Sequence, residues 1–248
     1  MIIDIHGHLG RWYFPTVDVT AMMAERALAE NGVDMLLVSS SYALRYDLVE
    51  GNRRLAQSIR GSDRIKGYVV LNPNYPDLSL KEMEKYADNP DFVGFKIHPE
   101  IFHHRLDTPQ GMVLCEAIAE SKKPLLIHTF GSSMETPLQV VKPIETYPSM
   151  KIILAHSGGY DWNLANDIAS LSPNLYSEIC CTCTCVQKIE NLIEGFGEDR
   201  VMFGSDFSLF DEAYSLGMAK DADLTPTQRR KLMGDNAAKL FGFCTSEE

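Results

Sequence analysis

Met1-Ile2-Ile3-Asp4-Ile5-His6-Gly7-His8 opens the chain, an apolar run that ends in two histidines two positions apart. Alternate residues of a strand share a face, so His6 and His8 project to one side as a two-armed clamp for a transition metal. The design recurs further along. Short apolar runs end in Lys96 and His98 (Gly94-Phe95-Lys96-Ile97-His98-Pro99), in His128 (Leu125-Leu126-Ile127-His128), in His156 (Ile153-Leu154-Ala155-His156) and in Asp206 (Phe203-Gly204-Ser205-Asp206). A closed α/β barrel gathers the C-terminal ends of its strands around one pocket, and such a rim brings residues from distant parts of a sequence together.

Working outward, strand-like runs are expected at 2–6, 33–40, 65–71, 92–97, 124–128, 151–156, 174–179 and 200–205. Helical patterns lie between them, near 18–31, 48–60, 79–88, 110–121, 137–147, 161–171, 186–196 and 209–219. Several runs are apolar almost throughout, such as Met35-Leu36-Leu37-Val38 and Ile152-Ile153-Leu154-Ala155. Strands buried on both faces of a parallel sheet read this way. Eight such units predict a (β/α)8 TIM barrel, with residues 1–248 as one domain. A doubly wound open sheet is the competing fold. It usually carries a glycine-rich turn after its first strand, whereas His6-Gly7-His8-Leu9-Gly10 is no dinucleotide fingerprint. A last helix is expected after Thr225, with Pro226 in its first position and Gln228 completing a capping box.

The 248 residues carry a formal net charge of -11 and no Lys/Arg-rich run, which argues against a nucleic-acid partner. No apolar stretch approaches the roughly 18 residues of a membrane span. The N-terminus lacks a basic region followed by an apolar signal segment, so a cytoplasmic location is expected. Of the six cysteines, four crowd into Cys180-Cys181-Thr182-Cys183-Thr184-Cys185, unlike a secreted disulfide framework. That cluster reads as small packing residues at the end of the seventh strand, with a thiolate metal site as the alternative.

Imidazoles and a carboxylate suit zinc, and also iron or manganese. A bound cation with an open position lowers the pKa of its water toward about 7. Asp206 could take that water's proton and pass it on. His156 could bind metal or polarise a substrate carbonyl.

The ordered motifs resemble the amidohydrolase superfamily, in the amidohydrolase-related branch that includes aminocarboxymuconate semialdehyde decarboxylase. The resemblance rests on His6-Gly7-His8, Gly94-Phe95-Lys96-Ile97-His98-Pro99, Ile127-His128, Leu154-Ala155-His156-Ser157-Gly158-Gly159, Gly204-Ser205-Asp206 and the closing Asn236-Ala237-Ala238-Lys239-Leu240-Phe241-Gly242. It implies that His6, His8, His128 and Asp206 bind one metal, for which zinc is expected. It also implies that His156 is catalytic or binds a second metal. In binuclear members a carboxylated lysine at the end of the fourth strand bridges two cations. Lys96 stands at the matching place with His98 nearby, so one ion is expected and two if Lys96 is carboxylated; otherwise Lys96 pairs with an anionic substrate or a carboxylate.

The leading expectation is a hydrolase in which metal-activated water attacks an amide, ester or lactone-type carbonyl of a small molecule, with Asp206 and His156 as the catalytic pair. The alternative is a metal-dependent non-oxidative decarboxylase of a small carboxylic acid. A non-enzymatic metal or ligand-binding protein is the third reading. Arg11, Trp12 and Glu178 are expected near the substrate, with a folded-over loop and a capping role as their plainer readings. His103 and His104 read as loop residues. A homodimer is compatible with a barrel of this kind.

Overall fold

The computed structural model describes residues 1–180 and 185–244. Its strands are β1 (Ile3–Leu9), β2 (Met35–Ser40), β3 (Ile65–Val70), β4 (Phe92–Ile97), β5 (Leu125–His128), β6 (Ile152–Ala155), β7 (Leu175–Glu178) and β8 (Val201–Met202). Each pairs in parallel with the next in sequence order. The seam between the first and last strands is closed by the chain that leaves β8. Ile5 N donates to Phe203 O (3.1 Å), His8 N to Phe207 O (2.9 Å) and Phe207 N to His6 O (3.1 Å). The expected (β/α)8 barrel is therefore the fold, and the open doubly wound sheet is not.

The barrel interior is filled by Ile3, Ile5, Leu37, Tyr68, Leu126 and Ile153, and the C-terminal helix Asn236–Phe241 plugs it with Ala237, Ala238 and Leu240. The outward faces of the strands, such as Leu36, Val38, Ile127 and Leu154, join the apolar sides of the helices in the larger core.

One local irregularity places the site. Between Asp4 and Gly7 the register of β1 against β2 slips, with three steps on β1 matched by two on β2, from Leu36 to Val38. Such a bulge inserts one residue and reverses which parity faces inward. Ile3 and Ile5 pack inside before it; His6 and His8 face the barrel mouth after it. Gly7 then points outward, where a Cβ would come within 2.9 Å of Leu36 Cδ1 and 3.2 Å of Phe207 Cβ. β1 runs on to Leu9 rather than ending at residue 6, because His8 and Leu9 continue to pair with Ser39 and Ser40.

The last helical segment begins as expected. Thr225 Oγ1 accepts from Gln228 N, and Gln228 Oε1 accepts from Thr225 N, which completes the capping box. The helix widens into a π turn over Lys231–Asp235 before Asn236–Phe241. Gly234 sits in that turn against the N-terminus, where a Cβ would lie 2.2 Å from Met1 O. Among the described residues no helix is long and apolar enough to cross a membrane.

Candidate metal centre and active site

His6 and His8 on β1 meet Asp206 just beyond β8. Asp206 Oδ1 lies 3.0 Å from His8 Nε2 and 3.6 Å from His6 Nε2. All three side chains are buried, and their donor atoms fall within 4.8 Å of one another. The second nitrogen of each imidazole is tied down. His6 Nδ1 donates to Glu178 Oε1 (2.9 Å) and His8 Nδ1 to Ser39 Oγ (2.9 Å), which turns each Nε2 lone pair toward the carboxylate. Asp206 Oδ1 is buried and, among the described residues, accepts no hydrogen bond of acceptable geometry despite the short approach of His8. Two imidazole nitrogens and a carboxylate oxygen that converge in a buried pocket are a donor set that a divalent cation satisfies. The residues present therefore fit the metal that the sequence implied. Lys96 is buried beside them, with Nζ 2.9 Å from His6 Nε2.

His128 is brought to the same mouth but outside that trio. Its ring stacks on His98, with centroids 3.7 Å apart and planes at 14°, and its Nδ1 lies 3.0 Å from His156 Nε2. His128 Nε2 faces Glu135 Oε2 at 3.5 Å. His98, Glu100 and His128 form a separate grouping of donor atoms.

His156 is held from beneath by β7. Glu178 Oε1 accepts from His156 N (2.7 Å), and Cys180 Sγ lies 2.9 Å from His156 Nδ1 and 2.9 Å from Glu178 Oε1. Glu178 thus organises the histidines as well as fitting the rim position expected of it. Cys180 is buried, as the packing reading required, while Cys185 is exposed. Cys181, Thr182, Cys183 and Thr184 lie outside the described residues.

The backbone at the two turns that bear Asp206 and His156 is unusual. Asp206 has φ 61, and His156, Ser157, Gly158 and Gly159 have φ 60, 51, 81 and 57. Left-handed conformations at non-glycine residues cost energy and collect at functional sites. At Gly159 no larger residue fits, because a Cβ would sit 2.7 Å from Phe130 Cα. The turn is pinned by Gly158 N donating to Thr129 Oγ1 (3.0 Å) and by the Ser157 hydroxyl donating to Glu178 O.

Burial sets the electrostatics. It holds the imidazoles of His6, His98 and His156 well below their usual range, with Lys96 and neighbouring histidines adding to the effect, and lowers His8 as well. These rings are neutral near pH 7 and so able to ligate or accept a proton. Burial alone would raise Asp206, but His6, His8 and Lys96 outweigh it and keep the carboxyl ionised. Burial raises Glu178 against the hydrogen bonds it receives from Cys180 and His156.

Trp12 reaches the site, its ring edge-on to His8 at 4.9 Å, and its buried indole Nε1 has no hydrogen-bond partner among the described residues. Phe130 stands against His156 at 5.4 Å. Arg11 is exposed and lines a separate cleft of about 520 Å³ with Asp18, Tyr42 and Arg54, to which none of these histidines belongs. His104 is engaged by Asn74 and Thr108 (2.9 and 2.7 Å), as its loop reading expects, and His103 caps the short helix Pro99–Phe102. Sequence reasoning passed over Ser39 and Phe130, and read Cys180 only as part of the packing cluster. Ser39 carried a usable signal, since a polar residue at the end of an apolar run is the same cue that marked the histidines.

The family described as Amidohydrolase matches residues 3–243, and the chain belongs to it. The resemblance read from the motifs is borne out. No curated protein matches the sequence significantly. Among solved structures, 2,6-dihydroxybenzoate decarboxylase from Rhizobium superposes with a TM-score of 0.81 at 15% identity, covering 97% of this chain and 98% of that one. Dihydroxybenzoic acid decarboxylase from Polaromonas, with bound manganese and 2-nitroresorcinol, gives 0.80 at 18%, covering 99% and 98%. 5-Carboxyvanillate decarboxylase from Novosphingobium aromaticivorans, complexed with manganese and 4-hydroxy-3-methoxy-5-nitrobenzoic acid, gives 0.75 at 16%, covering 98% and 96%.

These likenesses correct the leading expectation. Hydrolysis of an amide, ester or lactone was inferred from metal-bound water, a device that the same donor set does not require. The three solved structures named above are decarboxylases and none is named as a hydrolase, which favours the alternative over hydrolysis. Zinc is likewise not supported over other divalent cations, since two of those structures hold manganese. What stands is an enzyme of the amidohydrolase superfamily with a site for a divalent metal.

Proposed function

We propose that this protein is a metal-dependent, non-oxidative decarboxylase of a small hydroxylated aromatic acid, with residues 1–248 acting as one catalytic domain. The observation that carries the reading is the placement of aromatic side chains around the histidines. Trp12, from the loop after β1, and Phe130, from the loop after β5, approach the cluster from opposite sides of the eight-strand ring. A flat substrate fits between such walls. Supporting it, the solved decarboxylases of similar fold act on dihydroxybenzoate and carboxyvanillate.

His6, His8 and Asp206 would hold the cation, with His128 at the edge of the same mouth. When bound, the cation supplies positive charge that neutralises and orients an anionic substrate. Manganese is the first candidate, and the two imidazoles and carboxylate also suit zinc. Decarboxylation breaks the bond between the ring carbon and the carboxylate carbon. The electron pair stays on the ring carbon, which gains a proton as CO2 leaves. A hydroxyl beside that carbon makes the ring basic enough to be protonated there. Asp206, ionised at rest, would take a proton from solvent and pass it to the ring carbon. His156, neutral and fixed through Nδ1 and its backbone N–H, would hydrogen-bond the substrate. Trp12 and Phe130 exclude water, which favours charge neutralisation as CO2 departs.

The test is incubation of manganese-loaded protein with 2-hydroxy- and 2,6-dihydroxybenzoates in heavy water. The expected products are CO2 and a phenol with one deuterium on the carbon that lost the carboxylate. Absence of CO2, or a product bearing a new oxygen from isotopically labelled water, would reject the reading.

A further inference from the structure

We propose a second cation site on the β7 side of His6, built from His6 Nδ1, His156 Nδ1, a Glu178 carboxylate oxygen and Cys180 Sγ, and selective for a soft divalent ion such as zinc. It is separate from the first site, which uses His6 Nε2, and it does not depend on the reaction being decarboxylation. It also differs from the binuclear arrangement implied by Lys96, since no lysine takes part.

The four donor atoms lie within 4.8 Å of one another, and all four residues are buried. Cys180 Sγ stands 3.3 Å from His6 Nδ1, 2.9 Å from His156 Nδ1 and 2.9 Å from Glu178 Oε1, while His6 Nδ1 and Glu178 Oε1 are 2.9 Å apart. Each distance approximates the edge of a small coordination polyhedron, whose ligands at about 2.0–2.3 Å from a tetrahedral centre stand somewhat over 3 Å from each other. One imidazolate (His6, once its Nδ1 proton has left), one imidazole, one carboxylate and one thiolate form a four-ligand set that zinc accepts and manganese, which prefers oxygen, does not.

Charge favours the exchange. Without the ion, the cluster is held by the His6 Nδ1–H and the Cys180 S–H, each donating to a neighbour in the group. A divalent ion takes the place of these two protons, which leave to solvent, so the net charge of the buried cluster is unchanged. No uncompensated charge is then placed in the interior, the condition that usually forbids a buried cation. His6 becomes a bridge, with Nε2 toward the first site and Nδ1 toward the second. Glu178, at the end of β7, and Cys180, two residues on, supply half the ligands.

Metal-free full-length protein titrated with cobalt(II) or zinc tests the site. Wild type is expected to take two equivalents of either ion but one of manganese. The second cobalt should bring in a near-ultraviolet thiolate-to-cobalt charge-transfer band. Cys180→Ser should take one equivalent of each ion and show no band, with unchanged circular dichroism. If that variant does not fold, zinc X-ray absorption on the wild type decides the matter: two zincs are expected to share one sulfur at about 2.3 Å. A single zinc equivalent in wild type, a band or second equivalent that survives in Cys180→Ser, or a zinc shell with no sulfur or several would overturn the proposal.

Discussion

Glu178 Oε1 receives the Nδ1–H of His6 at 2.9 Å across 172 positions of sequence, and the same oxygen receives the backbone N–H of His156 at 2.7 Å. One carboxylate at the end of β7 thus orients a metal-facing imidazole on β1 and the turn that carries a second histidine. Partners of this kind typically contribute 10–100-fold to metal affinity. Glu178→Gln is therefore expected to weaken manganese binding by about that factor while the fold persists, as read by chelator competition and circular dichroism. Unchanged affinity would remove Glu178 from the support of the site.

His156 makes its contacts through Nδ1, its backbone N–H and a 3.0 Å approach of Nε2 to His128, and it is not one of the His6, His8 and Asp206 trio. His156→Gln is expected to lower kcat for decarboxylation by about 10²–10³-fold, as loss of one positioned hydrogen-bonding group does. Manganese content, measured by elemental analysis, should stay at one equivalent. Loss of metal with activity would move His156 among the ligands.

Gly234 lies in the π turn with Met1 O where a Cβ would stand 2.2 Å away, a backbone atom that cannot swing aside as a flexible side chain does. Gly234→Ala is expected to cost about 1–3 kcal/mol, as overpacked substitutions do. For a chain of this length each kcal/mol lowers Tm by about 2–4 °C. Calorimetry that finds no change would mean the N-terminus shifts freely.

Burial pushes the Cys115 thiol up to about 12. At pH 8 almost none of it is thiolate, and the thiolate is the reactive form. Cys115 should resist iodoacetamide in the native protein and react once the chain is unfolded, while exposed Cys185 and Cys244 react first. Peptide mapping of the alkylated sites gives the answer.

Glu50 lies on the helix Leu48–Ser58, where hydrogen bonds from Arg53 and then Arg54 hold its carboxyl down to about 2. Because the folded value is below the unfolded one, its contribution is complete above pH of about 4.3 and is lost as pH falls toward 2. The pair is at the surface, so the effect is small. Glu50→Gln should lower Tm slightly at pH 7, and the gap from wild type should close as pH falls toward 2.

Much of the barrel was legible because apolar runs and turn residues act locally. All eight strands fall on the runs that suggested them, and Thr225, Pro226 and Gln228 cap the helix they were expected to cap. The candidate ligands were legible as polar ends of those runs. What could not be read was the bulge in β1. Strict alternation from Ile3 would have sent His6 and His8 away from the face that Ile3 and Ile5 occupy, and only pairing with β2 reveals the extra residue. Nor could sequence show that His128 lies on His98 beside the trio, since the angular position of a side chain on the rim depends on the shear of the whole ring. Cys180 was read as packing because sulfur chemistry depends on neighbours contributed by β1 and β6. The reaction itself was misjudged for a related reason: the same ligands serve water attack and CO2 loss, and the choice lies in the loops around them.

The closing seam joins Ile5 and the backbone of His6 and His8 to Phe203 and Phe207, and Asp206 sits inside that same stitch. Whatever parts the first strand from the chain that follows the last also separates the cation's ligands. Ion capture and completion of the ring would then be one equilibrium, so a metal held there would act as a rivet that lifts the molecule's resistance to unfolding with the logarithm of its free concentration.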